Sequence, residues 1–166
     1  MVKALLDKEK IWQLLSTVAD PEVPVLTILD LGIVRDVIVS SALEGLGEVV
    51  EIIITPTYTG CPAMDMISID IKLKLLENGF KNFKITSVLS PAWTTDWMSE
   101  EGKRKLKEYG IAPPHSRADD TADPLIECPQ CNSTNTKLIS QFGSTACKAL
   151  YQCQDCKEPF DYFKCH

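Results

Sequence analysis

No apolar run in this chain is long. The richest segments, Val49-Val50 and Ile52-Ile53-Ile54, fall far short of the roughly 20 residues that a membrane-spanning helix needs. Neither half carries an excess of positive charge: residues 1–112 hold 12 Lys and Arg against 16 Asp and Glu, and residues 113–166 hold 5 against 7. Nucleic-acid binders neutralise phosphates with clustered cations, so that class of partner is not expected, and neither is a membrane. The N-terminus offers Lys3, then Asp7 and Glu9, without an apolar core or a small-residue cleavage site. The expectation is a protein without an export signal, located in the cytoplasm. A Gly-rich phosphate loop, a Ser/His/Asp set and a His-x-x-x-His helix are all missing. The two histidines, His115 and His166, are remote in sequence from the one thiol that could act as a nucleophile. The sequence does not advertise an enzyme.

What is there is cysteine, seven residues in all. An odd count without an export signal argues against a disulfide framework and for metal or redox chemistry. Four of the seven fall in two pairs, Cys128-Pro-Gln-Cys131 and Cys153-Gln-Asp-Cys156. A Cys-x-x-Cys turn presents both sulfurs on one side of a tight knuckle, and two knuckles brought together supply a tetrahedral four-sulfur site. Thr136–Phe142 and Ala149–Gln152 read as a hairpin turning at Gly143-Ser144, with Phe160–Lys164 as a further strand. This is the layout of a rubredoxin-like or zinc-ribbon β domain, and about 40 residues of it need a metal to stay folded. Zinc is the default occupant; iron or an iron–sulfur cluster also suits four thiolates. Asn132 can adopt the left-handed dihedral that follows such a knuckle, whereas Lys157 does so less cheaply, so the second knuckle is expected to be less regular. Cys147 and Cys165 read as a packed thiol and a terminal one, or as a secondary metal or thiol site with His166.

The first 112 residues read as an α-β-β-α-β-α domain of α+β class. Lys8–Ala19 is a helix with Asp7 as its cap and Ile11, Leu14, Leu15 and Val18 on one face, stopped by Asp20-Pro21. Ile33–Ser40 and Glu48–Thr55 form an antiparallel pair around Gly45 and Gly47. Cys61-Pro62 opens a second helix with Cys61 at the cap, an apolar stripe of Met64, Ile67, Ile71 and Leu75, and Asn78-Gly79 at its end. Phe83–Leu89 is a third strand, Ser90–Met98 an aromatic loop with Trp93 and Trp97 divided between core and surface, and Ser99–Tyr109 a charged helix ending at Gly110. Residues 113–125 read as a linker with a solvated His115, leaving 126–166 for the ribbon.

Cys61 is the one thiol of the first domain. A thiolate at a helix start faces free N–H groups and the positive end of the helix dipole, and Thr57 and Thr59 can supply hydroxyls. The alternative is an inert, buried cysteine. Asp20, Glu22 and Asp30 could act as hard-metal ligands or as turn-closing acids.

Asp20-Pro-Glu-Val-Pro-Val25, Asp30-Leu-Gly-Ile-Val34 and Thr55-Pro-Thr-Tyr-Thr-Gly-Cys-Pro-Ala-Met64 resemble the iron–sulfur-assembly domain family of the SufT type. Ser90-Pro-Ala-Trp-Thr-Thr-Asp-Trp-Met-Ser99, Phe142-Gly-Ser-Thr-Ala-Cys-Lys148 and Glu158-Pro-Phe-Asp-Tyr-Phe-Lys-Cys165 narrow the resemblance to the D subunits of phenylacetyl-CoA epoxidases, the small accessory components of a multicomponent ring oxygenase. The resemblance implies a maturation role in aerobic phenylacetate catabolism: delivery or repair of iron or an iron–sulfur cluster in the oxygenase or its reductase. Cys61 is then the transfer ligand, with Thr57, Thr59, Asp20 and Glu22 as its supporting loops. A lone thiol cannot hold a cluster, so a homodimer, a partner or glutathione must complete the coordination. The competing expectations are a non-catalytic scaffold docking through its zinc ribbon and, third, a thiol-dependent enzyme.

Overall fold

The computed structural model describes residues 2–41, 48–115 and 125–164. It divides into two compact units, Met1–Trp93 and Thr94–His166.

In the first unit, α1 (Val2–Leu15) begins before the expected start, so Asp7 lies inside the helix rather than capping it. It also ends earlier than Ala19. The Ser16 and Thr17 hydroxyls donate to the carbonyls of Gln13 and Leu14, both at 2.7 Å, and such local bonds compete with helix continuation. Ile11, Leu15 and Val18 are buried, as their spacing predicts. β1 (Val34–Ser41) and β2 (Glu48–Ile54) pair antiparallel, and β2 pairs with β3 (Phe83–Ser87) in parallel, in the order β1-β2-β3. The expected turn around Gly45 and Gly47 lies outside the described residues. Between β2 and β3 runs α2 (Ala63–Glu77), which buries Ala63, Ile67, Ile71 and Leu75; Met64 is half-buried. Truncating Ile71 to Ala in such a site costs about 2–5 kcal/mol.

The segment between α1 and β1 is part of the core, not a surface loop. Val23, Leu26, Ile28, Leu31 and Ile33 are all at most 2% exposed. Trp93 is buried and donates its indole N–H to the Leu31 carbonyl at 2.7 Å, whereas Trp97 is half-buried.

The second unit opens with a short 3-10 turn, Thr95–Trp97, and α3 (Glu100–Tyr109). The Ser99 hydroxyl accepts the Gly102 N–H at 2.9 Å, Glu100 and Glu101 occupy the first turn, and Gly110 ends the helix at φ 91°. These are the capping and charge placements that favour a helix here. β4 (Ile111–Ala112), β5 (Thr136–Ser140), β6 (Lys148–Cys153) and β7 (Pro159–Phe163) form one sheet in the order β4-β7-β6-β5. The hairpin β5-β6 and the third ribbon strand match expectation. The turn is longer than Gly143-Ser144, closing where the Gly143 N–H donates to the Lys148 carbonyl.

The division differs from the sequence reading, which ends the first domain at residue 112. β4 pairs in parallel with β7, Ile111 with Asp161 and Ala112 with Tyr162, so α3 and β4 lie in the unit that contains the ribbon. One buried cluster of this unit is Ala112, Ile126, Cys128, Ala149, Cys153, Phe160 and Tyr162, with Tyr151 packed on it, and Met98, Leu106, Ile111 and Phe163 are buried as well. His115 is not a solvated linker residue: it is half-buried, its ring 6.3 Å from that of Tyr162. Of the expected linker, residues 116–124 lie outside the described part.

Candidate functional site

The two Cys-x-x-Cys segments are built alike. In the first, the Cys128 N–H donates to the Ser133 carbonyl at 2.9 Å, and in the second the Cys153 N–H donates to the Glu158 carbonyl at 3.0 Å. In each, the bonded residues are five positions apart. The residue after the second cysteine is left-handed in both, Asn132 at φ 60° and Lys157 at φ 67°. The expectation of a less regular second knuckle is therefore corrected. The Lys157 ammonium donates to the Gln154 carbonyl, and the Gln152 amide reaches the Lys157 carbonyl at 3.2 Å; these local bonds offset the cost of that dihedral for a side-chain-bearing residue.

The knuckles also hold each other. Asp155, between Cys153 and Cys156, accepts hydrogen bonds from the Ser133 hydroxyl and, at 2.8 Å, from the Asn135 amide. The Gln154 N–H donates to the Asn135 carbonyl at 2.8 Å. The two side-chain hydrogen bonds hold the Asp155 carboxyl below its ordinary range. Sequence reasoning missed Ser133, Asn135 and Asp155; the only signal was short polar side chains beside each cysteine pair.

The result is a convergence of four sulfurs. All four ligand atoms lie within 4.8 Å of one another, with Cys128 and Cys156 at 3.8 Å and Cys131 and Cys153 at 3.5 Å. Cys128 and Cys153 are fully buried, and Cys131 and Cys156 face solvent. Proton affinities within the set diverge. The Cys156 backbone N–H, 3.5 Å from the Cys153 sulfur, draws that thiol down to about 7. Cys156 moves the other way, to about 12: the Glu158 backbone pulls it down, but desolvation and the neighbouring sulfurs outweigh that pull. Four sulfurs this close resist becoming four thiolates unless a cation lies among them. The donor set fits a metal ion.

Cys147 stands apart from this cluster. It is buried, its sulfur 3.0 Å from the Thr145 hydroxyl, and its carbonyl accepts the Lys164 N–H. Cys165 and His166, its expected companions, lie outside the described residues.

Cys61, in the first unit, is 9% exposed. The helix runs from Ala63, and Pro62 at its boundary already has helical dihedrals (φ −66°, ψ −24°), so proline takes the first helical position and Cys61 is the last residue outside it, as the spacing predicts. The Cys61 carbonyl accepts the Met64 N–H at 3.2 Å, and no side chain caps this end. Thr57 is half-buried on the approaching loop and Thr59 exposed. Asp20 closes its own turn, accepting the N–H groups of Glu22 and Val23 at 2.8 and 2.7 Å. It lines a groove with Asp70, Leu73, Lys74 and Glu77 from the second half of α2, whereas Cys61 precedes the first. Asp30 likewise accepts the Thr27 N–H and hydroxyl, each at 3.0 Å.

Comparison with known proteins agrees with this two-part construction. The family model described as iron-sulfur cluster assembly protein matches residues 8–78, and the PaaD zinc beta ribbon domain matches residues 112–164. A crystal structure of a domain of unknown function, DUF59, from Bacillus anthracis superimposes with a TM-score of 0.53 and 31% identity, covering 63% of this chain and 95% of that one. An Fe-S protein maturation auxiliary factor of Porphyromonas gingivalis is 38% identical over 100 residues, 60% of this chain and 90% of that one. The protein is of the class that joins an iron–sulfur-assembly domain to a zinc ribbon. More narrowly, a protein of Escherichia coli K12, provisionally described as the D subunit of 1,2-phenylacetyl-CoA epoxidase, is 50% identical over 157 residues, 94% of this chain and 92% of that one. The chain belongs to this D-subunit family. Among the described residues, no helix is long and apolar enough to cross a membrane.

Proposed function

We propose that this protein is a non-catalytic maturation subunit of a phenylacetyl-CoA epoxidase system, delivering or repairing iron or an iron–sulfur cluster in the oxygenase or its reductase. The observation that carries the reading is the placement of Cys61: a thiol 9% exposed, at the turn where the Thr-rich loop enters α2, inside the segment matched by the iron–sulfur-assembly family. The cargo binds the Cys61 sulfur, and thiols or carboxylates of the client complete its coordination. Thr57 and Thr59 flank the cargo from the loop.

The ribbon holds a resident ion through Cys128, Cys131, Cys153 and Cys156. Tetrahedral zinc with Zn–S bonds of about 2.3 Å separates its sulfurs by about 3.8 Å, close to the 3.8 Å between Cys128 and Cys156 and the 3.5 Å between Cys131 and Cys153, in a set whose four sulfurs lie within 4.8 Å. A multi-iron cluster places iron and sulfide between the thiolates and needs a wider spread. The spacing favours a single tetrahedral ion over a cluster; zinc is the ion of the matching ribbon family, and the chemistry it would supply is structural cross-linking.

Cys61→Ser tests the role of the thiol. The variant should keep the wild-type melting temperature while oxygenase and reductase co-produced with it carry several-fold less iron; full loading overturns the transfer role. A scaffold reading is favoured by one observation, the exposure of Ile139 and Phe142 (52% and 68%) on and beside the edge strand β5. It predicts that Ile139→Lys with Phe142→Lys abolishes co-purification with the oxygenase, leaving metal content of the purified client unchanged.

A further inference from the structure

Helix α2 is apolar on two opposite faces. Ala63, Ile67, Ile71 and Leu75 are buried, while Met66, Ile69, Leu73 and Leu76 are 50, 47, 50 and 52% exposed. At 3.6 residues per turn the centres of the two stripes lie nearly half a turn apart. The exposed four recur at i, i+3, i+7 and i+10, the spacing of a knobs-into-holes seam. A helix whose outer face meets water carries charged or polar residues there. Single exposed apolar residues are ordinary, but a continuous stripe marks an interaction surface.

The flanks of the stripe indicate its occupant. Asp70 and Glu77 border one side, and neither has an ion pair or side-chain hydrogen bond among the described residues. Lys74, half-buried one row further in, leaves that edge net acidic. Beyond it, a groove of about 440 Å³ runs past Leu73 to Pro21 and Pro24, lined by the acids Asp20, Asp70 and Glu77 as well as by apolar side chains. Asp65 and Lys72 border the other side. A second copy fits poorly. Antiparallel packing through Met66–Leu76 and Ile69–Leu73 layers brings Asp70 near its own symmetry mate and Lys72 near its own. Parallel packing sets Asp65 against Asp70 in exchange for one Lys72–Glu77 pair. Like charges flanking a seam disfavour such pairings. A basic helix meets the acidic edge with opposite sign and covers the stripe.

We propose that the outer face of α2 docks an amphipathic helix of a partner protein, one with apolar side chains at heptad spacing and Lys or Arg along the edge facing Asp70 and Glu77. This site is distinct from the metal chemistry, and its test does not depend on which metal is carried.

The probe is a fluorescein-labelled model helix of about 18 residues with Leu at heptad spacing and Lys elsewhere, titrated with the full zinc-loaded chain and followed by anisotropy. A Leu/Glu helix of the same length is the control. The wild-type chain should bind the Leu/Lys helix and not the Leu/Glu one. Ile69→Lys with Leu73→Lys should weaken binding about tenfold or more, and Asp70→Asn with Glu77→Gln about threefold. Circular dichroism melts establish that each variant is folded, and Ile69→Gln with Leu73→Gln replaces the lysine pair if that pair is not. Unchanged binding by folded variants, or equal binding of the Leu/Glu helix, overturns the proposal. So does a wild-type dimer in sedimentation that Leu73→Lys dissociates, because the face then belongs to a second copy.

Discussion

Single residues decide the quality of the knuckles and of the turn beside them. Lys157 occupies a left-handed dihedral at φ 67°, which costs a side-chain-bearing residue about 1 kcal/mol and glycine almost nothing. Lys157→Gly should therefore raise the stability of the zinc-loaded second unit by a fraction of a kcal/mol, the gain reduced by lost contacts and by the freer unfolded chain. A small upward shift in melting temperature checks this. Gly143 behaves oppositely. A Cβ there would collide with an Asp161 carboxylate oxygen and sit 3.2 Å from the Lys148 Cβ. Asp161 is held in place by the Ser144 hydroxyl at 2.9 Å and faces the buried Lys148 ammonium at 3.9 Å. Gly143→Ala should destabilise the unit by about 1–3 kcal/mol, measurable by chemical denaturation of the metal-loaded protein. In the first unit, hydrogen bonds from Thr86 and then Lys84 hold the Glu51 carboxyl below its ordinary range. A depressed carboxyl stabilises the fold above its unfolded pKa, and that contribution is lost as pH falls through the folded value. Glu51→Gln should flatten the decline of the first unit's melting temperature below about pH 4.5.

At the scale of elements, the strand β4 changes what counts as the ribbon. It covers the outer edge of β7, and Ala112 belongs to the same core as Cys128 and Cys153. A zinc-loaded fragment 126–166 should accordingly melt well below a zinc-loaded fragment 94–166, and its amide exchange should be fastest along β7. Equal melting would show that β4 contributes nothing. The sequence pattern makes this hard to see: a two-residue strand has no periodicity, and Pro113-Pro114-His115 reads as linker. What is legible has strong local chemistry. The paired cysteines, the helix end at Gly110 and the Ile67-Ile71-Leu75 stripe all stand where their spacing puts them. The start of α1 is hidden because Asp7 looks like a cap, although the chain before it continues the helix. The parallel pairing of β3 with β2 rests on long-range contacts that no local pattern reports. The outer α2 stripe is masked because a buried stripe on the same helix already explains its apolar residues.

At the scale of the whole molecule, the two units have different sources of stability. The first has a continuous aliphatic core through α1, the 18–33 segment, the sheet and α2. In the second, the cluster beneath the metal site counts cysteines Cys128 and Cys153 among its buried residues, and binding of zinc by such sites supplies about 10 kcal/mol or more of folding free energy. Exhaustive chelation should unfold the second unit and leave the first intact, so that its own thermal transition disappears while that of the first keeps its midpoint. A single shifted transition would refute that division. Inside and outside are also shared evenly within the cluster. Each knuckle turns its first sulfur inward and its second outward, Cys128 and Cys153 beneath Cys131 and Cys156. An oxidant or competing thiol arriving from water therefore meets one sulfur from each arm before the inner pair. Loss of grip starts at the rim, and the two buried sulfurs are the last to let go.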